Sequence, residues 1–418
     1  MSKEPDVSDT IVLGAGMVGV SIAYHLVKRG RSVVLVDRRE PGHETSFGNA
    51  GIIQREAVAP YAFPRDAKTL MQVMPNRRVD IRYRPSGMLE SAGSLFRYWQ
   101  NSAPGPYARI LPEYASLIAL STQEHAPMIE AAGADALVSR DGWLELYRTP
   151  EAFEARLAKV APLAKRFGLT YDRLDRAALA EQEPDLSDEI VGAILWRDSW
   201  TVADPGSLVA AYAEAFKALG GKVVKASVES VEQSADGWKV ETDAGSLEAA
   251  ELVMAMGPWS GDWLSRLGYR LPLFVKRGYH MHYALQEGRT LNHWVMDAEV
   301  GYLLAPMRAG VRLTTGAELA NRDAAPALDQ LDAAEAVARK LVPLGARRDD
   351  TPWKGARPCT SDMKPVIGPA PSHKGLWFAF GHGHQGFTLG PATGRLLGEL
   401  MDGETPAIDM APFRADRF

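Results

Sequence analysis

The chain has 418 residues, of which 46% are hydrophobic and 24% are charged, and it carries a formal net charge of −5. A length beyond about 250 to 300 residues predicts two domains, and this composition is typical of globular rather than disordered or fibrous proteins. Because 52 acidic residues outnumber 47 Lys and Arg residues, the sequence predicts no basic surface for nucleic acid, and a small-molecule partner fits better.

The N-terminal part of the chain has the pattern of a βαβ unit. TIVLG (10–14) is typical of a buried strand, MVGVSIAYHLVKRG (17–30) of a helix closed by Gly30, and SVVLVD (32–37) of a second strand. Residues 38–68 are rich in Gly, Pro and Asn and have no clear period. This composition predicts a long loop that lies over something it binds.

Further along, helical and strand patterns predict a mixed α/β architecture. DPGSLVAAYAEAFKALG (204–220) has an Asp N-cap, a Pro in its first turn and a Gly past its end, as helices do. Before this helix, the pattern predicts helices at about 107–132 and 151–167 with a strand at 143–147 between them. After it come the predicted strands KVVKA, ASVESVEQ, WKVET and ELVMAM, and then several alternating strands at about 271–316. The last predicted elements are a helix near 326–342 and a final strand, turn and helix from 376. Because elements typical of nucleotide binding lie at both ends and in the middle, we expect the chain to cross between its domains more than once.

The segment GAGMVG has the spacing of a dinucleotide-binding turn. Gly14, Gly16 and Gly19 directly follow a predicted strand and open a helix. The first glycine allows the tight turn, the second lets a pyrophosphate approach the backbone, and the third lets helix and strand pack closely. Asp37 ends the second strand, 18 residues after Gly19, where its carboxylate can accept a hydrogen bond from a ribose hydroxyl. A tight turn without a ligand is the alternative, but the complete βαβ context favours dinucleotide binding.

Three later segments favour FAD over NAD as the dinucleotide. The loop ETSFGNAGIIQ (44–54) offers small residues and hydrogen-bond donors, the strand ELVMAM ends at Gly257, and GHGHQGFTLGPATG (381–394) places five glycines before a helix. Taken alone, the first is also typical of a surface loop and the second of an ordinary strand end. A cofactor that touches all three segments and Gly14 must be long and buried, and the helix N-terminal amides of the third could hold an anionic ring.

In this order, the segments resemble the D-amino acid oxidase superfamily of FAD-dependent amine oxidoreductases, and most closely its bacterial D-amino acid dehydrogenases. The matching segments span nearly the whole chain and are TIVLGAGMVGVSIAYHLVKRGRSVVLVDR, ETSFGNAGII, VADPGSLVAA, VMAMGPWS, GARPCTSDMKPVIG and GHGHQGFTLGPATG. The resemblance implies an α/β fold with a doubly wound FAD-binding domain, Rossmann-like and of the glutathione reductase type, and a second, mixed or antiparallel β-sheet domain for the substrate. We expect the discontinuous FAD-binding domain at 8–85, 190–270 and 350–418, and the substrate domain at 86–189 and 271–349.

In this superfamily, an arginine within a G-x-R-P-x-T-x-D-x-x-P-x-I-G segment binds the substrate carboxylate, and that position is Arg357 here. Its planar guanidinium matches a carboxylate bidentately. In the sarcosine oxidase branch, a cysteine in a C-x-Y-T motif links the flavin covalently, and alignment on Thr360 puts Arg357 rather than Cys359 at that position. We therefore expect non-covalent FAD and a packing role for Cys359, the one cysteine of the chain.

Many dehydrogenases of this group read like P-V-K-G-Y where this chain has FVKRGYHMHY (274–283). On a strand, Tyr279 shares one face with two further apolar residues, while His280 and His282 share the other face. Either face can line a substrate pocket, or both can be structural packing. Tyr302 is a further candidate, because superfamily members often place a tyrosine from this sheet near the carboxylate. The candidate substrate-binding residues are Arg357, Tyr279, Tyr302 and His282.

The resemblance and the motifs together give a set of candidate cofactor-binding residues: Gly14, Gly16, Met17, Gly19, Asp37, Arg38, Thr45, Ser46, Asn49, Ala50, Gly51, Ile52, Val228, Gly257, Trp259, Gly383, His384, Gly386 and Thr388. We expect no metal site. No residue is assigned as a catalytic acid or base, because the cofactor supplies the redox chemistry and the protein supplies position.

The implied reaction is the oxidation of an amino acid. The neutral amine form delivers a hydride from Cα to the flavin and leaves an imino acid, which water hydrolyses to a 2-oxo acid and ammonia. A D-amino acid dehydrogenase is the favoured function, with a quinone or a dye rather than oxygen as electron acceptor. The alternatives are an oxygen-using oxidase of the glycine or sarcosine type, a dehydrogenase of D-proline derivatives and, from other classes, a non-catalytic or tRNA-modifying FAD-binding protein or an NAD-dependent dehydrogenase.

The sequence also bears on cellular location. One cysteine cannot form an intramolecular disulfide, and the chain shows neither an apolar signal segment before its first strand nor a run of about 18 apolar residues. We therefore expect a cytoplasmic enzyme without a transmembrane span. Peripheral contact with the inner face of the membrane requires no such apolar segment, and it is an alternative that the sequence allows.

Overall fold

The computed structural model describes residues 8–418, and the predicted βαβ unit belongs to the first of its two large sheets. This sheet has eight strands: Ser8–Leu13, Val33–Asp37, Lys222–Lys225, Val228–Gln233, Trp238–Thr242, Gly245–Met254, Val366–Pro369 and Leu376–Phe380. Five strands run parallel, in the spatial order Lys222–Lys225, Val33–Asp37, Ser8–Leu13, Gly245–Met254 and Leu376–Phe380. The inner strands are nearly continuous buried Val, Leu and Ile runs, as in parallel sheets that helices cover.

The second large sheet has eleven strands in a mixed, mainly antiparallel arrangement. Its strands are Ile81–Tyr83, Trp143–Tyr147, Tyr171–Asp175, Gly192–Trp196, Leu273–Leu285, Val295–Asp297, Tyr302–Met307, Gly310–Thr314, Ala317–Leu319, Leu344–Arg347 and Trp353–Thr360. The long Leu273–Leu285 strand is central and pairs antiparallel with the Gly310–Thr314 and Trp353–Thr360 strands, among others. Together the two sheets confirm the predicted fold class, a doubly wound α/β part joined to a mixed sheet.

The described residues contain twelve α-helices: Met17–Lys28, Ala67–Val73, Pro85–Glu90, Ala92–Asn101, Pro104–Ala119, Ser121–Ala131, Pro150–Phe167, Arg176–Gln182, Pro205–Ala218, Ser260–Arg266, Asp329–Leu341 and Gly386–Met401. The side chain of Asp204 caps the Pro205–Ala218 helix by accepting from the amide of Ser207, and a Pro follows the cap, as predicted. None of these helices is long and apolar enough to cross a membrane. A third, small sheet joins Ile52–Ile53, Val138–Ser139 and Trp200–Val202.

The helix that follows the glycine-rich turn packs closely against the C-terminal helix. A Cβ at Gly390 would lie 2.5 Å from Cγ of Met17, and one at Gly394 would lie 2.5 Å from the carbonyl oxygen of Ser21. These glycines therefore allow the helices to touch along their backbones. Since each helix follows a strand of the same parallel sheet, both N-termini lie at the carboxyl edge of that sheet, where ligands of such folds bind.

Most predicted elements are confirmed, with differences in two regions of the chain. The helix predicted at about 107–132 is two helices, Pro104–Ala119 and Ser121–Ala131, while residues 38–68 form the predicted loop apart from Ile52–Ile53 and the first turn of a helix. The helices Ala67–Val73 and Ala92–Asn101 were not predicted; they bury no residue and two residues respectively.

The expected division into domains stays a prediction. All strands of the first sheet lie within the three ranges expected for the FAD-binding domain. Three strands of the second sheet, Ile81–Tyr83, Gly192–Trp196 and Trp353–Thr360, also lie within those ranges, and its other strands lie within the two ranges expected for the substrate domain. The chain thus passes between the sheets several times.

Candidate active site

A cavity of about 960 Å³ lies between the carboxyl edge of the parallel strands and the second sheet. Ligand pockets usually measure about 300 to 1,000 Å³, so its size suits a long cofactor. The predicted cofactor-binding residues that line it are Gly14, Gly16, Met17, Asp37, Arg38, Thr45, Ser46, Asn49, Ala50, Ile52, Val228, Gly257, Trp259, Gly383, His384 and Gly386. Gly19, Gly51 and Thr388 do not line it; the hydroxyl of Thr388, for example, donates to the carbonyl oxygen of Ile52 at 3.3 Å and so supports a lining residue.

The glycine-rich turn is shaped by close backbone contacts. Gly14 has a φ of +103°, and a Cβ there would lie 2.5 Å from the carbonyl oxygen of Ala255. At Gly19 a Cβ would lie 1.7 Å from the carbonyl oxygen of Gly14. Asp37 accepts hydrogen bonds from the amides of Ala15 at 2.7 Å and Arg39 at 2.9 Å, and burial raises the pKa of its carboxyl group. A carboxylate has further lone pairs, so Asp37 can still accept from a ribose hydroxyl.

The loop that follows the second strand is fastened to this turn. Ser46 Oγ accepts from the amide of Met17 at 3.0 Å, at the N-terminus of the first helix. Arg38 pairs with Glu44 at 2.7 Å, and its guanidinium lies 4.3 Å from the ring centroid of Trp259. A backbone amide and a cation–aromatic contact therefore join the loop, the first helix and the Gly257–Trp259 segment around one end of the cavity.

Arg312 forms hydrogen bonds to the backbone in the middle of the same loop. Its Nη1 donates to the carbonyl oxygens of Phe47 at 3.0 Å and Asn49 at 2.6 Å, and its Nε donates to Nε2 of His282 at 3.0 Å. Since a guanidinium can only donate, His282 carries its hydrogen on Nδ1 and gives it to Asp349 at 2.8 Å. His282 does not line the cavity. Burial lowers the pKa of His282, and the neutral ring supports Arg312.

The two candidate tyrosines border the cavity, but their side chains belong to a buried cluster of the second sheet. The hydroxyl of Tyr279 donates to Glu318 at 2.6 Å and accepts from Arg277 at 2.9 Å, so it is already used within the protein. Tyr302 lies near Asp297, and burial together with that carboxylate raises the pKa of its hydroxyl. The predicted alternation is confirmed: Tyr279 lies on the face that packs against the core, and His280 lies on the face that stacks on Trp353, a cavity residue, with 4.9 Å between ring centroids.

Arg357 lies in the cavity wall above Gly278. Its Nη1 donates to the carbonyl oxygens of Arg277 and Gly316, each at 3.2 Å. No carboxylate among residues 8–418 pairs with this guanidinium, and its Nη2 and Nε have no protein partner there. Burial lowers the pKa of Arg357, although a guanidinium stays charged under all ordinary conditions. The arrangement leaves an oriented cation whose outer edge is free for an anion.

Several cavity residues were not singled out from the sequence. Lys276 lines the cavity, donates from Nζ to the hydroxyl of Tyr98 at 3.1 Å, and lies 4.6 Å from the centroid of that ring. Tyr61 lines it as well, with its ring 5.1 Å from that of His384. Burial, followed by the charges of Arg357 and Lys276, lowers the pKa of His384 well below its usual value. Lys276 is four residues before His280, which is two full periods of the strand and the same face, so the alternation would have pointed to it.

Cys359 does not line the large cavity. Its thiol is buried, lies 3.6 Å from the carbonyl oxygen of Arg357, and has a pKa that burial raises. It borders a separate small cavity of about 40 Å³. A protonated, buried thiol is a packing group rather than a nucleophile.

The residues around the cavity fit FAD. The glycine turn at Gly14 offers backbone to a pyrophosphate, and Asp37 offers a carboxylate to a ribose. Gly257 has a φ of +53° and would direct a Cβ into open space, with no atom of residues 8–418 within 4 Å apart from its chain neighbours. Thr314 lines the cavity, and its Oγ1 is buried with no hydrogen-bond partner in the described part of the chain. An open glycine cradle and an unsatisfied hydroxyl are what a bound flavin dinucleotide would fill.

The parallel sheet, the glycine turn and the long buried cavity define a flavin-dependent enzyme with two structural parts. Residues 9–400 match the DAO family, described as FAD dependent oxidoreductase, and the chain belongs to this family. FAD is therefore its cofactor, and oxidation and reduction are its chemistry.

Known proteins of similar sequence cover nearly the whole chain. It is 32% identical over 421 residues to a D-amino acid dehydrogenase of Rhizobium johnstonii, with 98% of this chain and 99% of that protein aligned. It is 29% identical over 426 residues to a D-amino-acid oxidase of Bradyrhizobium diazoefficiens, with 99% and 100% aligned. The solved structure of glycine oxidase from Geobacillus kaustophilus matches with a TM-score of 0.72 at 24% identity, over 98% of this chain and 99% of that one. This last likeness shows the shared fold.

Proposed function

We propose that this enzyme oxidises the amine-bearing carbon of an α-amino acid and acts as a D-amino acid dehydrogenase. The proposal depends above all on Arg357, a guanidinium in the cavity wall that binds two carbonyl oxygens and no carboxylate of the described residues. Such a group can bind a substrate carboxylate bidentately. The dehydrogenase and the oxidase described above support an amino acid as substrate and favour the D-configuration.

The protein's part in this reaction is to hold and orient the substrate. Bound FAD supplies the acceptor for the hydride that leaves Cα. Arg357 fixes the carboxylate, and a fixed carboxylate limits the orientations that the Cα–H bond can take. Arg357 and Lys276 are both positively charged, and nearby positive charge favours the neutral amine, the form from which a hydride can leave. His384 adds no third charge, because burial lowers its pKa.

FAD is proposed to be non-covalent. The cavity wall has Arg357 where the covalent branch of the superfamily has its linking cysteine, and a guanidinium cannot form that thioether. Cys359 lies outside the cavity lining and its thiol is held protonated by burial. The candidate cofactor residues supply backbone amides, a carboxylate and aromatic contacts, which are reversible interactions.

The electron acceptor is proposed to be a quinone or a dye-type acceptor rather than oxygen. Exposed apolar side chains lie beside the cavity: Leu70 and Met74 line it, with Met74 68% exposed. Met71 and Leu89 are also exposed. A lipid-soluble acceptor would meet this surface without unfavourable desolvation. A cytoplasmic enzyme that contacts the inner face of the membrane here is part of the same proposal.

The function is tested by reducing the flavin-loaded enzyme with separate D- and L-amino acids without oxygen, while following the flavin absorption band. We expect D-amino acids to bleach the band and to reduce a redox dye, with little peroxide formed in air. Peroxide formed in proportion to turnover would show that the enzyme is an oxidase rather than a dehydrogenase. Failure of all amino acids of both hands to bleach the flavin would overturn the proposal.

A further inference from the structure

Lys276 and Arg357 lie directly opposite each other in the antiparallel pair formed by the Leu273–Leu285 and Trp353–Thr360 strands. Directly opposite residues of such a pair place their side chains on the same face, with Cβ atoms about 4.5 to 5.5 Å apart. Both residues line the cavity. The wall of the proposed substrate site therefore carries two adjacent positive charges.

Neither cation is neutralised by the protein. Arg357 binds carbonyl oxygens and Lys276 binds the hydroxyl of Tyr98, and neither pairs with a carboxylate anywhere in the range 8–418. The neighbouring Arg277 shows the contrast, because it points to the other face and pairs with Glu318 at 2.7 Å. Like charges placed directly opposite destabilise a sheet, and a partly buried charge is costly without a partner. The pair is therefore poorly suited to a purely structural role.

The carboxylates that border the cavity are occupied elsewhere. Asp37 accepts from the amides of the glycine turn, Glu44 pairs with Arg38, and Asp80 binds Arg78 through two hydrogen bonds of 2.7 Å. None of them is available to Lys276. The anions that satisfy the two cations must then come from the ligand.

The two charged groups point in opposite directions along the strand. The guanidinium of Arg357 lies over Gly278, where a Cβ would be 3.0 Å from Cζ. The ammonium of Lys276 lies over the rings of Tyr98 and Phe274, at 4.6 and 5.6 Å from their centroids. Gly278 and Phe274 are four residues apart on one strand, so the two cations diverge. Groups that diverge are suited to two separate anions rather than to one shared carboxylate.

We propose that Lys276 and Arg357 form a site for a dianionic substrate, an amino acid that carries a second carboxylate. This inference rests on the proposed function, because it takes the carboxylate at Arg357 to be that of an amino acid. Lys276 binds the second carboxylate, and Tyr98 holds the lysine in place by giving its own hydrogen to the carbonyl oxygen of Tyr61 and accepting from Nζ. The second carboxylate belongs either to the side chain, as in aspartate and glutamate, or to an N-substituent, as in iminodiacetate.

The test compares dianionic acids with matched neutral compounds on the flavin-loaded enzyme. Both enantiomers of glutamate and aspartate are assayed against those of glutamine and asparagine, and iminodiacetate against sarcosine, with a redox dye as acceptor. We expect kcat/KM for an acid to exceed that for its matched neutral compound by about tenfold or more, as for a desolvated ion pair. A preference for glutamate or aspartate over its amide places the second carboxylate on the side chain. A preference for iminodiacetate over sarcosine places it on the N-substituent.

Lys276→Met removes the charge but keeps the length of the side chain. We expect it to reduce kcat/KM for the acid by about tenfold and for the amide by less than about threefold, and we expect Lys276→Arg to restore the preference. Lys354→Met is the matched control, because Lys354 lies on the paired strand, donates to the carbonyl oxygen of Ala324 at 3.0 Å and does not line the cavity. It should keep the wild-type ratio of acid to amide.

Equal use of acid and amide by the wild type, or an equal loss on both in Lys276→Met, would overturn the dianion site while leaving amino acid oxidation intact. If no amino acid is oxidised, the proposed function is wrong. The dianion site is then tested separately, by measuring the binding of acids that cannot be oxidised as amines. Glutarate and butyrate are then titrated against the flavin spectrum. A wild-type preference for glutarate that Lys276→Met abolishes supports the site, and equal binding of the two acids rejects it.

Discussion

The guanidinium of Arg357 occupies the space above Gly278 in which a side chain would otherwise stand. A Cβ at residue 278 would lie 2.7 Å from Nη2 and 2.8 Å from Nη1 of Arg357. The same guanidinium donates to the carbonyl oxygen of Arg277, which immediately precedes this glycine. The absence of a side chain at one position on the central strand thus fixes the place of the cation on the next strand.

Gly278→Ala is therefore expected to displace the guanidinium and weaken substrate binding. Because a displacement near 1 Å in a positioned group can be expensive, we expect kcat/KM for the best amino acid to fall by about tenfold or more. Steady-state kinetics on flavin-loaded protein measure this change. Gly93→Ala is the control, since a Cβ at that helical glycine meets no atom of the described residues within 4 Å outside its own helix backbone. Unchanged kinetics in Gly278→Ala would show that Arg357 does not need this position.

Arg357→Ala removes the proposed carboxylate ligand. Hydrogen bonds to charged groups contribute about 1.5 to 3 kcal/mol each, so losing a bidentate pair should lower kcat/KM by about a hundredfold or more. The flavin spectrum should be unchanged when the variant is loaded with FAD, because this side chain holds substrate. Arg357→Lys keeps the charge but loses the planar fork, and it should recover part of the activity. A loss of less than about threefold in Arg357→Ala would exclude Arg357 as the substrate ligand.

The parts of this molecule that sequence could predict are those determined by local pattern. The turn at Gly14, the strand ending at Asp37 and the cap at Asp204 depend on neighbours within a few residues, and each is found as expected. The alternation that separates Tyr279 from His280 is equally local, since it follows from the two-residue period of a strand.

The register between strands that are distant in the chain could not be predicted from the sequence. Lys276 faces Arg357 because two strands separated by some 70 residues of chain pair in one particular alignment, and nothing in either segment states that alignment. The same holds for His282, which reaches Arg312 and Asp349 rather than the cavity. The hydroxyl of Tyr279 is unavailable to a ligand for a similar reason. It is bound by Glu318, which lies on another strand, and the sequence near Tyr279 does not show that the two strands are neighbours.

Cys359→Ala is expected to keep full activity and a non-covalent flavin. The thiol is buried outside the cavity lining, and its distance from the carbonyl oxygen of Arg357 is long, at 3.6 Å. Acid precipitation of the wild-type protein should release all of the flavin into the supernatant, and the variant should behave identically. Yellow colour that stays with the washed wild-type pellet would contradict the non-covalent assignment, and its loss in Cys359→Ala would identify the attachment point.

Arg312→Met is expected to weaken FAD binding rather than substrate binding. Three hydrogen bonds join Arg312 to Phe47, Asn49 and His282, and without them the loop beside the cofactor loses its support. Outer-shell residues that hold metal ligands in place typically change affinity by about tenfold to a hundredfold, and we expect a change of that order here. The dissociation constant for FAD, measured by flavin fluorescence, should rise, while KM at saturating FAD should change little. A higher KM with unchanged FAD affinity would place Arg312 in the substrate site instead.

The buried histidines predict a loss of stability in mild acid. Burial lowers the pKa of His125 to about 4 and that of His382 to about 3, from an ordinary value of 6.5. A depressed folded-state pKa means that the unfolded chain binds more protons, so the stabilisation is present above pH 6.5 and is lost as the pH falls below it. Between about pH 7.5 and 5.5, each such histidine should lower the free energy of unfolding by about 1 kcal/mol.

His125→Gln tests this account, because glutamine can still accept from Tyr212 and donate to the carbonyl oxygen of Phe387 but does not titrate. Urea unfolding at fixed FAD concentration and several pH values gives the slope of unfolding free energy against pH. We expect a smaller slope below pH 6.5 in His125→Gln than in the wild type. Tyr212→Phe removes a hydrogen bond and keeps the histidine, so it should lower stability at every pH with the wild-type slope. A slope that His125→Gln leaves unchanged would mean that this ring is already protonated, or equally free to protonate, in the folded enzyme.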